Sequence, residues 1–208
     1  MEQKGAIFSE NRLERMRATV RGEPEILEGA ADALDAGACT AVDLLLGTQG
    51  HVFVAGAGTS NAVTRRFGHL LSCSGCPAAF LHAADCLQGA LGTVAADDTI
   101  VLISKGGKTA EVNGLGAMAR ERGARIVAFT EAPESELGRM ADCVVRVRVD
   151  PSSDPFGLVA TSSSLANAAV ADAICETILA ESGYSLEVFA ATHQFGAVGE
   201  RIKAGKES

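Results

Sequence analysis

From about Ser9 to Leu46 apolar residues recur every three or four positions, a helical period. Two stretches carry it, "LERMRATV" and "ILEGAADALDAGACTAVDLLL", and "GEP" at 22–24 is expected to separate them, because proline cannot donate to a helical ladder. The period then changes. "HVFVAGAG" is a short apolar run entering a glycine turn and reads as a buried strand, with "TSNAVTRRFGHLLSCS" as the helix after it. The alternation repeats in "CPAAFLH" with a short helix around 84–90, and in "DTIVLIS" with a helix through "TAEVNGLGAMARERG". "ARIVAFT" and "CVVRVRV" are a fourth and a fifth strand. After "DPSSDPFG" comes a long apolar helix, about Ala160 to Ser182, and then a short helical tail.

Short apolar strands alternating with helices predict an α/β fold. The expected architecture is a doubly wound, five-stranded parallel sheet with helices on both faces, a three-layer sandwich of the flavodoxin-like or Rossmann-like kind. Residues 1–48 read as an N-terminal helical flank and 49–208 as the sheet domain, together one compact unit of ordinary size for 208 residues.

Composition sharpens the picture. The chain is 47% hydrophobic but only 4% aromatic, with 23 glycines, as in a globular core of small residues. A net charge of −8 argues against a nucleic-acid partner, since phosphate backbones are held by basic surfaces. A small anionic ligand in a local basic pocket remains compatible with it. No run reaches the roughly 18 apolar residues of a membrane span, and "MEQKGAIFSENRLERMR" lacks the apolar stretch of a signal peptide, so no membrane partner is expected and the cytosol is the expected location. The six cysteines then read as reduced packing residues. "CSGC" at 73–76 has no second pair and no nearby histidine cluster, so neither a metal nor a cofactor is expected.

Two glycine turns carry the candidate chemistry. In "LISKGGKTAEV" the run Gly107, Lys108, Thr109 matches the end of a nucleotide P-loop, but its first glycine would fall on Leu102, inside a strand. In "GAGTSN" a dinucleotide fingerprint would need glycine at Asn61, and no acidic residue ends the second strand, where Leu81 and His82 stand. ATP and NAD are thereby set aside. Taken together, Ser60, Ser104 and Thr109 are hydroxyl residues at the starts of two helices, where free backbone N–H groups can surround a phosphate monoester. Ser and Thr also cap helices for structural reasons alone.

The ordered stretches "VFVAGAGTSN", "AAFLHAADCLQGALGTV", "DTIVLISKGGKTAEV", "VAFTEAPESELGRMAD", "FGLVATSSSLANAAVADAI" and "YSLEVFAATHQFGAVGERI" resemble a sugar isomerase (SIS) domain over roughly residues 25–202. The chain is most similar to the SIS module of arabinose-5-phosphate isomerases, without their CBS domains. The resemblance implies a phosphosugar site in which Ser104, Lys105, Gly106, Gly107, Lys108 and Thr109 hold the phosphate with Gly58, Thr59 and Ser60, and in which His82, Thr161 and Ser162 approach the sugar. It also implies a homodimer or homotetramer with sites near subunit interfaces, and interconversion of an aldose phosphate with its ketose phosphate.

That reaction moves a proton between C1 and C2 through an enediol and needs a base of moderate pKa and a proton shuttle; a carboxylate suffices and no metal is required in principle. Glu111, two residues past Thr109, matches an acidic position the family uses, although the helix dipole alone favours a first-turn glutamate. His193 in "THQFG" matches the histidine of the family's H-P-G-G motif, with a role in ring opening or proton transfer, reaching a neighbouring subunit's site. Against the family pattern, Thr59 stands for lysine, Gln88 for histidine and Ser152 for glutamate, while Lys105 and Lys108 add charge to the loop. These departures point to a substrate other than arabinose 5-phosphate. A phosphosugar-binding regulator without turnover, and a lyase, etherase or deglycase on a related sugar, remain open beside the isomerase. "PSSDPFG" reads either as a lid or as a plain connector.

Overall fold

The computed structural model describes residues 2–206. The five apolar runs form one sheet of parallel strands: β1 (Val52–Gly56), β2 (Ala78–His82), β3 (Thr99–Ile103), β4 (Arg125–Thr130) and β5 (Cys143–Arg146), in the order β2-β1-β3-β4-β5. β1 and β3 are buried at every position, which is why they read as continuous apolar runs and not as alternating ones.

Alternate side chains feed two cores. Val52, Val54, Val101, Ile103, Val127 and Phe129 meet α2 (Ala36–Leu46), α3 (Thr59–Cys73) and α7 (Ser162–Glu181). Phe53, Ala55, Ile100, Leu102, Ile126 and Ala128 meet α4 (Ala83–Cys86), α5 (Ala110–Glu121) and α6 (Glu136–Met140). The doubly wound sandwich expected from the alternation is therefore the observed fold. A short helix α8 (Leu186–Thr192) and α9 (Gly196–Lys206) follow α7.

The N-terminal segment differs from expectation in one respect. α1 (Glu2–Asp32) runs straight through Gly22-Glu23-Pro24, and the chain breaks instead at 33–35, where Asp35 caps α2 by accepting from the Gly37 N–H at 2.8 Å. Pro24 removes the donor that would reach the carbonyl of Val20. Val20 is exposed, so that carbonyl can be hydrated and the helix continues. Among the side chains described along α1, buried Ala30 and half-buried Ile26 dock on the core, whereas residues 11–22 are exposed on every side.

No helix among the described residues is long and apolar enough to cross a membrane. Four of the six cysteines are buried as packing residues, and burial pushes the thiols of Cys143 and Cys175 up to about 11 and about 12.

Phe67 and Phe129 lock α3 to the sheet, both fully buried with ring centroids 5.6 Å apart and planes tilted by 58°. Phe67→Ala is expected to cost about 3–5 kcal/mol in urea unfolding. A loss under about 1 kcal/mol would mean that this contact does not hold the helix.

Candidate functional site

The register of β1 brings the glycine turns together. Gly56 pairs with His82 on one side and with Ile103 on the other, so three strands end level at their carboxyl ends. After β1 the chain turns into α3 on one face of the sheet, and after β3 into α5 on the opposite face. Neighbouring strands whose helices leave in opposite directions open a crevice between their loops, the ligand position of open α/β sheets.

Gly58 makes the first wall. Its φ of 56° is left-handed, and nothing lies within 4 Å of where a side chain would begin. No side chain caps α3, so the N–H groups of its first turn face the crevice beside exposed Thr59 and half-buried Ser60.

The second wall is tighter. Buried Ser104 shares a hydrogen bond with Thr109 (Oγ to Oγ1, 3.0 Å), and the Gly107 N–H donates to the Ser104 carbonyl at 3.0 Å. Gly107 has φ +61°, and a Cβ there would stand 1.9 Å from Ser135 Oγ. Only glycine fits. Asn113 Nδ2 donates to the Gly107 carbonyl at 3.2 Å and steadies the loop from beneath. Thr109 N-caps α5 without a side-chain capping bond, Gly106 is open around its α-carbon, and Lys108 is exposed. Two helix N-termini thus face one space, an arrangement suited to a dianion.

Lys105 has a different job from a free cation in that loop. Its ammonium lies 3.0 Å from Oδ2 of Asp154, whose side chain is 2% exposed. The same carboxylate accepts from Ser163 Oγ at 2.7 Å and from the Ser163 N–H at 3.2 Å. Asp154 therefore ties the 150–159 strap to the phosphate loop and to the first turn of α7 at once. Ser162 donates to the Ser153 carbonyl at 2.9 Å, and Thr161 is exposed beside it. Asp154 already holds a main-chain donor of that helix start, which leaves Thr161 and Ser162 as neighbours of the crevice through this link. The strap itself carries Phe156, 92% exposed and at φ +59°. Sequence reasoning passed over Asp154; the available signal was an acid directly before a proline in a two-proline loop.

The other candidates divide. Glu111 is exposed in the first turn of α5, one turn from the loop. His82 ends β2 level with Gly56, exposed, with Nδ1 3.8 Å from Asp85 Oδ1. Gln88 and Ser152 are exposed, Ser152 Oγ donating to Asp150 Oδ1 at 2.7 Å. His193 lies elsewhere. Its Nε2 is 3.7 Å from Cys73 Sγ, at the last residue of α3, a helix whose 15 residues span about 20 Å from the crevice. Its ring stacks on Phe189 at 3.8 Å, and Nδ1 contacts the Phe189 carbonyl at 3.0 Å. Within one chain, His193 and Glu111 are not brought together.

Comparison with known proteins now adds to the geometry. The sequence profile described as "SIS domain" matches residues 45–176, the stretch that runs from α2 to α7. The chain belongs to the SIS domain family. An arabinose 5-phosphate isomerase, KdsD of Pseudomonas aeruginosa, is 32% identical over 162 residues, covering 78% of this SIS chain and 50% of the relative. The chain spans about half the length of the curated relatives it matches. Among solved structures, a Listeria monocytogenes protein described as a candidate sugar-phosphate isomerase superposes with a TM-score of 0.84 at 29% identity, over 88% of this chain and 96% of that one. An Escherichia coli CFT073 protein in complex with arabinose 5-phosphate gives a TM-score of 0.84 at 26% identity, over 88% and 97%.

Asp154 makes the strap sensitive to acid. Burial by itself pushes its carboxyl upward, but the bonds from Ser163 and the Lys105 ammonium outweigh that and hold it below the ordinary carboxylate range. Its contribution is then complete above the unfolded value of about 3.9 and lost as pH falls through the lowered folded one. Asp154→Asn is expected to lose about 2 kcal/mol at neutral pH, and the gap should close as both chains are taken toward pH ~2 in thermal unfolding. Equal stability of the two proteins at neutral pH would contradict this role.

Proposed function

We propose that this SIS protein interconverts an aldose phosphate and its ketose phosphate through an enediol. The observation that carries the reading is the position of Glu111: a carboxylate on the same first turn of α5 that presents the phosphate loop. A phosphate bound by Gly58, Ser60, Gly106, Gly107, Thr109 and Lys108 would fix the far end of the open sugar and lay C1 and C2 along the crevice. The Glu111 carboxylate takes the proton from C2 of the aldose as the carbonyl oxygen O1 takes up a proton, giving the C1–C2 enediol. The O2 proton then leaves as C2 becomes the carbonyl, and the Glu111 carboxyl, its proton exchanged with solvent, delivers a proton to C1 of the ketose. His82, at the level of the strand ends, stands ready for a sugar hydroxyl, and the donors of the two loops stabilise negative charge on the oxygens. The family and the relatives named above support this class. Thr59 and Lys108 carry it toward a sugar other than arabinose 5-phosphate, because the cation comes from the loop before α5 and not from the start of α3.

His193 serves this chemistry from a second subunit or not at all, given its seat against Cys73. A homodimeric or homotetrameric working protein in the cytosol is part of this proposal. One observation favours a second reading, a phosphosugar sensor without turnover: Lys105 is already neutralised by Asp154, so the crevice has fewer free cations than its sequence suggests.

Proton NMR in deuterated water with a panel of pentose and hexose phosphates distinguishes them. The isomerase is expected to place deuterium on the carbon beside the carbonyl and to form the partner sugar. Glu111→Gln should reduce that turnover by about 10²–10⁴-fold while phosphosugar binding persists. Undiminished exchange in the variant would remove Glu111 as the base, and binding by the unaltered chain without exchange would make the protein a sensor.

A further inference from the structure

The loop between β3 and α5 is fastened by its carbonyls. That of Lys105 accepts from the Glu131 N–H at 3.0 Å and from Thr130 Oγ1 at 2.8 Å, both at the end of β4. That of Gly107 accepts from the Leu137 N–H, in the first turn of α6, and from Asn113 Nδ2 of α5, each at 3.2 Å. In a trans peptide the N–H of the following residue points opposite to the carbonyl. β4 lies on the side of β3 away from β1, so the Lys105–Gly106 peptide turns the Gly106 N–H toward β1 and the crevice. The Gly107–Lys108 peptide sends its carbonyl onto α5 and α6 and turns the Lys108 N–H away from them. Neither N–H has an acceptor among the described residues.

Two adjacent glycines have little orientation of their own, so that of their peptides must be imposed by neighbours. Thr130 and Asn113 are placed to impose it, at 1% and 3% exposure. Asn113 is an unfavourable choice for packing alone, since its Oδ1 meets no donor among the described residues. Leucine has nearly the same shape and would leave no unpaired acceptor there. The Gly107 carbonyl would keep the Leu137 N–H without it, so the amide is not needed to satisfy that carbonyl either.

We propose that Thr130 and Asn113 are positioning residues for phosphate. They act through the two peptides they hold, aiming the Gly106 and Lys108 N–H groups at the oxygens of one phosphate dianion. The inference rests on the reading that the crevice holds the phosphate of the sugar, and it names the residues that set the affinity of that loop.

Inorganic phosphate is the probe, added to the full chain, and no turnover is needed. The wild-type melting temperature is expected to rise with phosphate, and the amide proton signals of Gly106 and Lys108 to move downfield in nitrogen–proton correlation spectra. Without phosphate, Asn113→Leu should melt no lower than wild type, yet bind phosphate about tenfold more weakly. Thr130→Val should weaken binding by a similar factor and melt lower, because it also strips the Ala132 N–H of its acceptor. Thr130→Ser keeps the hydroxyl and should bind as wild type does. Wild-type affinity in both Asn113→Leu and Thr130→Val, or Gly106 and Lys108 signals that stay in place as phosphate binds, would overturn the positioning role and leave the isomerase reading standing. Affinity lost only in step with melting temperature, and not restored in Thr130→Ser, would make both residues structural. A wild-type chain without affinity for phosphate would remove the anion site on which both readings rest.

Discussion

Everything at the site depends on β1 having two neighbours. Because it pairs in register with β2 and with β3, Gly56, His82 and Ile103 end at one level. Because β1 and β3 send their helices to opposite faces, the loops on either side of that level cannot pack against each other and leave a crevice. An edge position for β1 would have left a single glycine turn facing solvent. The pairing is in turn held by burial on both faces, with Val54 and Val101 in one core and Ala55 and Leu102 in the other. Small residues at the sheet's centre let α3 and α5 come close, and the N-termini of those two helices supply the field that draws an anion.

The distribution of positive charge around that crevice is not what counting lysines suggests. Lys105 and Lys108 sit three residues apart in one loop, yet one is bound to a buried carboxylate and the other is exposed. A buried carboxylate needs its partners, so Lys105 serves first to keep Asp154 ionised. An anion at the loop would therefore depend chiefly on main-chain N–H groups, with Lys108 approaching from the α5 side. Such a site is defined by the backbone. Gly107 makes the point, since no other residue can stand against Ser135 and keep the loop's shape.

The sheet was legible in the sequence because its strands are apolar runs punctuated by glycine and proline, and all five appear where the period changes. The helices after them followed from the return to a three- and four-residue spacing. Pro24 misled because a proline in an exposed stretch of helix costs one hydrogen bond that water can replace, and sequence alone does not reveal exposure. The loop residues of the site were legible through their types: glycines and hydroxyls at helix starts. Asp154 was not, because its role comes from a contact with Lys105 across 49 residues of chain. The position of His193 was equally hidden: its motif is local, whereas its contact with Cys73 spans 120 residues.

That contact bears on how the family's chemistry can operate here. The His193 ring is held on three sides, by the Phe189 ring, by the Phe189 carbonyl and by Cys73. Nδ1 lies 3.0 Å from both the Phe189 carbonyl and Thr192 Oγ1, and Nε2 faces the Cys73 thiol. A side chain so pinned does not cross a helix length to reach Glu111. If a histidine enters the proton traffic of a crevice, it is His82 of the same chain or His193 of another. The two cases differ physically. His82 comes with the strand ends and is present in any folded monomer, whereas His193 arrives only with assembly, so that turnover would then depend on protein concentration as well as on the integrity of the loops.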